Sequence, residues 1–370
     1  MTTRCLENFD PTTFLKNHWQ RQHLFIANAL PDFTSPISAD ELAGLALEDE
    51  IESRIIRETD DRQWLLQHGP FTETTYSQLG REKWTLLVQA VDHYLDEIAE
   101  LKQFFRFIPD WRLDDIMISF APTGGGVGPH YDQYDVFLIQ AQGQRQWKIG
   151  QQCSDTTPLL AHPQLKILSN FEQSAEYLCN PGDILYIPPG CAHWGISTSD
   201  DCMTISIGFR APSHEELIAQ LCDDVASQLP SQLRYTDTDL TTQKHPAEIS
   251  SSAIARLQQI ISDYLLKPEN LAETFGCLMT SPKYAEQEWP TDVDADAFYK
   301  NPAARLAYWQ QAGQLHLFIN GQSLQTSVEH LTLIQHIADN HAFVRTDFTD
   351  SEWTVMEALI EAGLFTDDGE

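Results

Sequence analysis

His130 and Asp132 stand one residue apart in the stretch GGGVGPHYDQYD, Gly124 to Asp135, directly behind a run of glycines. On an extended chain, side chains two apart share a face, so His130, Asp132, Tyr134, Val136 and Leu138 are expected to point the same way. Val136 and Leu138 are apolar, which marks that face as inward. A carboxylate buried there without a partner is costly, and a metal ion satisfies both it and the imidazole. His-x-Asp alone is a weak signal, although it occurs only once in this chain. The second piece is NPGDILYIPPGCAHWG, Asn180 to Gly195, which reads as a turn, a short strand, a second turn and then His193. Two neutral imidazoles and one carboxylate on one side of a metal leave open positions opposite, the facial arrangement of non-haem iron oxygenases. The plainer alternatives are a turn-capping His193 and an Asp132 paired with an arginine.

Arg145 supplies a third element. In QRQWKIG, alternation sets Arg145 with Trp147 and Ile149, while Gln144, Gln146 and Lys148 form the polar face. An arginine on an apolar face requires a carboxylate for its planar fork. That carboxylate is either an internal Asp or Glu, or the distal end of a 2-oxo diacid whose other end chelates the metal.

The elements that must hold these residues are short strands. DDIMISFA, DVFLIQ, RQWKIG, DILYIP and MTISIGF are strand-length runs separated by Gly, Pro, Asn and Asp, which predicts a sandwich or small barrel over about 113–210. The first 110 or so residues mix helical and extended patches. Ser38 with Glu41 is a capping-box signature, and the apolar spacing of Leu86, Leu87, Val91, Leu95 and Ile98 predicts a helix over 81–105. Beyond residue 210 the pattern turns helical, with a Ser213–Glu216 capping box and a second amphipathic run, SSAIARLQQIISDYLL. Such a pair either packs on the barrel or forms a subunit interface. The last 90 or so residues read as a small α+β unit. It has a hairpin at Asn320-Gly321, a helix near 328–338 and another running from an Asp350 cap to a Gly363 stop. Its shape is compatible with a winged helix, but its acidity argues against DNA binding.

Composition narrows the partners. With 23 Lys+Arg against 54 Asp+Glu the formal net charge is −31, a field that repels nucleic acid and anionic membranes and attracts basic proteins. Solubility alone is the bland explanation of that charge. Seven cysteines, an odd number with no Cys-x-x-Cys pair, argue against a disulfide framework and for a reducing compartment. Nothing reads as a signal peptide or a membrane span, so a soluble cytoplasmic protein is expected.

GPHYDQYDVF, Arg145, and PGDILYIPPGCAHWG together resemble the JmjC-type cupin oxygenases, and within them the bacterial ribosomal oxygenases that hydroxylate an arginine of large-subunit ribosomal protein sixteen. FLKNHWQRQHLFIANAL resembles that family's entry segment, and the helical pair and acidic C-terminal unit match its later regions, so the resemblance spans essentially the whole chain. It implies a mainly β protein with α, built on a double-stranded β-helix (jelly-roll, cupin) core at 1–210. A helical dimerisation region at 211–275 and a winged-helix-like domain at 276–370 would follow. It further implies Fe(II) on His130, Asp132 and His193, with 2-oxoglutarate and O2 as cosubstrates and the C5 carboxylate on Arg145. Ser206 would join the substrate or cosubstrate pocket. Asp115, Met117 and Tyr134 match the family's arginine pocket, a carboxylate for the guanidinium with a thioether and an aromatic for its stem. The alternative is that Met117 is core and Asp115 caps a turn. A basic ribosomal protein as substrate, a homodimer, and no direct contact with nucleic acid or membrane complete the implied picture. The alternatives are a related oxygenase acting on histidine or methyl-lysine, or a metal-binding cupin regulator that turns nothing over. The glycines from Gly124 to Gly128 are expected to leave room for a bound peptide at the barrel mouth.

Overall fold

Runs rich in Ile, Val, Phe and Trp between turn residues form strands in the computed structural model, which describes residues 4–59, 63–284, 293 and 296–367. The chain divides into two compact units, Met1–Ala211 and Pro212–Gly369.

The first unit holds β1 (Leu24–Ile26), β2 (Ser53–Glu58), β3 (Trp64–His68), β4 (Trp84–Val88), β5 (Leu113–Ala121), β6 (Val136–Gln142), β7 (Arg145–Gln152), β8 (Ala175–Cys179), β9 (Ile184–Ile187), β10 (Cys191–Ser197) and β11 (Cys202–Phe209). Antiparallel pairing joins them into an eight-stranded sheet, in the order β1-β9-β6-β11-β5-β4-β2-β3, and a three-stranded sheet, β10-β7-β8. Between the two sheets, Val136, Leu138, Leu185 and Ile187 pack against Trp147, Ile149, Cys179 and Cys191, the interior of a jelly roll. On the outer face of the large sheet, Ile116, Ile118, Phe137, Ile139, Tyr186, Ile205 and Ile207 bury with Phe14 and Leu42. Those two belong to the short helices α1 (Pro11–Asn17) and α2 (Ala39–Leu45), and α3 (Glu73–Gln78) and α4 (Asp96–Ala99) follow. Each large apolar side chain buried there contributes roughly 1.5–3 kcal/mol.

Since Ile116 and Ile118 face the helices, Asp115, Met117 and Ser119 face the interior. The register extends that interior face across the sheet: Ser206 is opposite Met117 and Thr204 opposite Ser119, and Leu138 and Gln140 lie beyond them.

The helix expected over 81–105 is not formed. Trp84–Val88 is a strand between β2 and β5, followed by 3-10 turns at Val91–His93 and Glu100–Phe105 around α4. Thr85, Leu86, Leu87 and Val88 are all buried, because a central strand covered on both faces has no alternation to show. Ser38 and Glu41 do form the capping box at α2.

In the second unit, α5 (His214–Gln228) starts from the Ser213–Glu216 capping box, and α6 (Ser251–Tyr264) and α7 (Pro268–Thr280) follow. Next come β12 (Ala297–Lys300), β13 (Leu306–Gln311), β14 (Gln314–Ile319), β15 (Gln322–Ser327), α8 (Leu331–Asp339), β16 (Ala342–Val344), α9 (Asp350–Glu361) and β17 (Phe365–Thr366). The hairpin β14–β15 turns at Asn320 and Gly321, both at positive φ (49° and 81°), as its two-residue turn demands. Phe298, Leu333, Ile337, Phe343, Met356, Leu359 and Phe365 form one core. The cap of α9 is Thr349, not Asp350: Thr349 and Glu352 close a capping box, and Asp350 sits in the first turn. No described helix is long and apolar enough to cross a membrane.

Candidate metal centre

The glycine run and β10 bring the histidines together. Gly124 N–H donates to Ser197 O, Ser197 N–H to Gly125 O, and His130 and His193 exchange both backbone bonds at 3.0 and 2.8 Å. The segment before His130 thus lies antiparallel beside β10. Its glycines are required by the protein's own backbone rather than by a bound peptide. A Cβ on Gly126 would stand 2.4 Å from the carbonyl oxygen of Gly195, and one on Gly125 2.2 Å from that of Trp84. The pairing of β10 with β7 shifts register between Cys191 and His193, a bulge of the kind that re-aims a side chain next to a site. His130 meets β10 only as an isolated bridge, and regular pairing starts at Val136. The continuous strand expected through His130, Asp132 and Tyr134 is therefore a loop, whereas Val136 and Leu138 do face inward.

The donor atoms of His130, Asp132 and His193 all lie within 4.8 Å of one another. Nε2 of His193 is 3.6 Å and Nε2 of His130 is 3.9 Å from Asp132 Oδ2. Each ring turns its other nitrogen to a backbone carbonyl, His130 Nδ1 to Gly128 O at 2.9 Å and His193 Nδ1 to Cys191 O at 3.0 Å. A carbonyl only accepts, so each Nδ1 carries the proton and each Nε2 presents its lone pair to the centre. Burial, and then the neighbouring His130, push the His193 pKa down to about 4, so this imidazole is neutral at ordinary pH, the form that ligates. Two imidazoles and a carboxylate fit Fe(II) in the facial arrangement.

The same shift makes the metal-free protein acid-sensitive. Unfolded His193 takes a proton near 6.5 and folded His193 only near 4, so its contribution is complete above about pH 6.5 and is lost as pH falls towards 4. The loss amounts to about 3 kcal/mol at most. Chelator-treated wild type should therefore lose denaturant stability across this window more steeply than His193→Gln; equal slopes would refute the assignment.

Arg145 opens β7 with only 3 % of its surface exposed, its guanidinium 5.7 Å from the centre of the Trp147 ring. Nε donates to Cys202 Sγ at 3.4 Å, while Nη2 is buried without a hydrogen-bond partner. Among the described residues no carboxylate pairs with it. Nearby Cys179 is no counter-ion either, because burial, ahead of Asp183, pushes its thiol up to about 12. Of the two carboxylates the sequence left open, the external one fits: a buried fork with an orphaned donor is a cradle for a diacid's distal end.

A JmjC domain model matches residues 100–217. The Escherichia coli protein named ribosomal protein uL16 3-hydroxylase is 36 % identical, over 96 % of this chain and 97 % of its own length. The chain belongs to the JmjC-domain ribosomal oxygenases. An X-ray structure of Escherichia coli YcfD covers 97 % of this chain with a TM-score of 0.86 and 33 % identity. The complex of that ribosomal oxygenase with cobalt and 2-oxoglutarate superposes with a TM-score of 0.83 at 32 % identity, over 97 % of this chain. As a JmjC oxygenase the chain uses Fe(II) and 2-oxoglutarate, and the His-Asp-His set and the Arg145 cradle are the residues here that fit them.

The remaining residues of this JmjC oxygenase expected at the site lie as follows. Asp115 is buried on the interior face, and its Oδ2 accepts from Gln89 Nε2 at 2.6 Å and Ala90 N–H at 3.0 Å. It thereby secures a turn whose Ala90 has positive φ (51°), so the turn-capping alternative describes at least one of its oxygens. Met117 is half-buried on the same face beside Ser206. Tyr134 is 42 % exposed as a residue, yet its phenol pKa is raised, first by the Asp132 carboxylate, then by burial and Asp115, against the opposing charge of Arg54. One flank of Tyr134 is therefore open while its hydroxyl end lies among these charges. Ser206 neighbours Met117 and Leu138, and the β11 side chain that touches Arg145 is Cys202. Cys202 also accepts from Gln140 Nε2 at 3.4 Å, and Thr204 donates to Gln140 Oε1 at 3.3 Å. Cys202 shares one face of β11 with Thr204 and Ser206 by alternation. Arg54 was not readable, because β2 carried no sign of joining the barrel.

Proposed function

We propose that the chain hydroxylates an arginine side chain of large-subunit ribosomal protein sixteen, uL16, with Fe(II), 2-oxoglutarate and O2. What most supports this reading is the near full-length similarity to a protein named uL16 3-hydroxylase. An interior face carrying Asp115, Met117 and Tyr134 beside the metal residues agrees with it. When bound, iron supplies the chemistry that couples oxidative decarboxylation of 2-oxoglutarate to C–H hydroxylation, so that R–H, O2 and 2-oxoglutarate become R–OH, succinate and CO2. The chain's residues position the partners. Arg145 fixes the depth of the cosubstrate, the two backbone-locked imidazoles hold the metal, and Met117 and Tyr134 flank the target side chain. No side-chain acid or base is required. The net charge of −31 draws in a basic, RNA-binding client by long-range attraction.

The structural job of Asp115 at the Gln89–Ala90 turn favours one second reading, a target other than arginine, such as histidine or methyl-lysine. Mass spectrometry of uL16 and other basic ribosomal proteins, incubated with iron and 2-oxoglutarate, separates the two. A hydroxyl mass shift on arginine is expected; one on histidine, or release of formaldehyde, overturns the arginine assignment.

The enzyme is read as a cytoplasmic homodimer. Among the described residues no disulfide is formed, in keeping with a reducing compartment. Helix α6 has no buried residue, and Ile254, Leu257 and Ile261 leave an apolar stripe along it, Leu257 half exposed at 50 %. Ile218 of α5 and Leu271 and Phe275 of α7 are exposed apolar residues of the same unit. A second copy supplies the matching surface, as a two-fold interface is self-complementary. Leu257→Glu with Ile261→Glu should halve the mass measured by light scattering; an unchanged mass in wild type and variant would refute the interface.

A further inference from the structure

Arg54 reaches into the barrel from β2. Its strand neighbour on the same face, Ile56, packs with Trp64, Leu87, Ile167 and Met117, and Arg54 lies opposite Leu87, which lies opposite Ser119. From there its side chain spans β4, and Nη2 stands 3.9 Å from Met117 Sδ. Among the described residues this weak N–H···S contact is the single hydrogen bond of a guanidinium with five N–H donors. Its charge also acts on the Tyr134 phenol. The protein's own arginine therefore adjoins Met117, one of the three side chains assigned to the client's arginine.

We infer that Arg54 is the resident occupant of the client side-chain pocket, displaced when a cationic side chain enters, and so sets client affinity rather than the chemistry. The inference rests on the reading of Met117 and Tyr134 as walls of that pocket. Two guanidinium groups in one partly buried pocket repel, and a single weak contact to sulfur gives Arg54 little reason to stay. Filling the pocket in the absence of client keeps the thioether covered until an arginine of the right reach arrives.

The test compares wild type with Arg54→Met, which keeps the apolar stem and removes the charge, and with Arg54→Lys, which keeps the charge. Binding of a uL16 peptide containing arginine is measured by calorimetry with manganese and 2-oxoglutarate under nitrogen, and turnover is measured with iron in air. Arg54→Met should tighten peptide binding and lower the peptide KM about fivefold, with kcat and the 2-oxoglutarate KM within about twofold. Arg54→Lys should stay close to wild type. Weaker or unchanged peptide binding in Arg54→Met, alongside intact arginine hydroxylation, overturns the occupant role alone. Hydroxylation at another residue type overturns the arginine reading, while tighter binding of that peptide to Arg54→Met still supports displacement. If neither protein binds any ribosomal-protein peptide, both readings fall.

Discussion

Arg145→Ala is expected to raise the KM for 2-oxoglutarate by about a hundredfold or more while leaving iron binding intact. Truncating one partner of a buried, hydrogen-bonded charge pair costs roughly 2–5 kcal/mol, and every 1.4 kcal/mol is about tenfold. Arg145 is a buried cation whose Nη2 has no hydrogen-bond partner among the described residues, so nothing there would substitute for the cosubstrate carboxylate in the proposed role. The stability effect should have the opposite sign. Without cosubstrate the guanidinium is an uncompensated buried charge, so Arg145→Met, which fills the space without charge, should leave the apo protein as stable as wild type or more so. Arg145→Lys retains a charge but not the planar fork and should fall between the two. Succinate formation against 2-oxoglutarate concentration, paired with denaturant melts, reads both effects. An unchanged KM in Arg145→Ala would remove this residue from the cosubstrate site.

What the sequence disclosed depended on whether periodicity survived burial. β5, β7 and β11 show one polar or functional face against one apolar face, and Arg145 was readable from alternation alone, whereas Met117 came through the family resemblance. β4 is covered on both faces, so its continuous apolar run looked like part of a helix, and the barrel appeared to begin only at β5. That error also hid β2, and with it Arg54. The histidine loop was legible as chemistry but not as geometry. His-x-Asp was read as a strand, whereas a bridge to His193 and a bulge in β10 converge the donors. Backbone locks on the two Nδ1 atoms leave no trace in sequence, since their acceptors, Gly128 O and Cys191 O, are carbonyls any residue could offer. The glycines carried a correct message about close approach. The approaching group, however, is the Gly195 carbonyl rather than a client, a distinction only coordinates can make.

The metal residues carry the largest expected loss. His193→Ala, His130→Ala and Asp132→Asn should each abolish iron-dependent succinate formation, and they should do so by different routes. In His193→Ala a deeply buried neutral imidazole disappears, so a ligand is lost and a cavity opens beside Trp147, whose ring centre lies 5.9 Å from that of His193. Affinity and stability should fall together. His130 and Asp132 are partly exposed, with side chains 23 % and 25 % accessible, so their replacement should spare the fold and report on the metal alone. Asp132→Asn is the sharper test because it keeps the shape and one oxygen donor and removes only the charge. Asp132 is the one anion of the proposed three-residue set and lies within 3.9 Å of both Nε2 atoms, so it would supply the electrostatic attraction for a divalent cation. Anaerobic iron titration followed by Trp147 fluorescence should show at least about a hundredfold weaker binding in Asp132→Asn, equivalent to roughly 3 kcal/mol. Wild-type affinity in that variant would mean that the metal is held elsewhere, and the assignment of Asp132 would have to be abandoned.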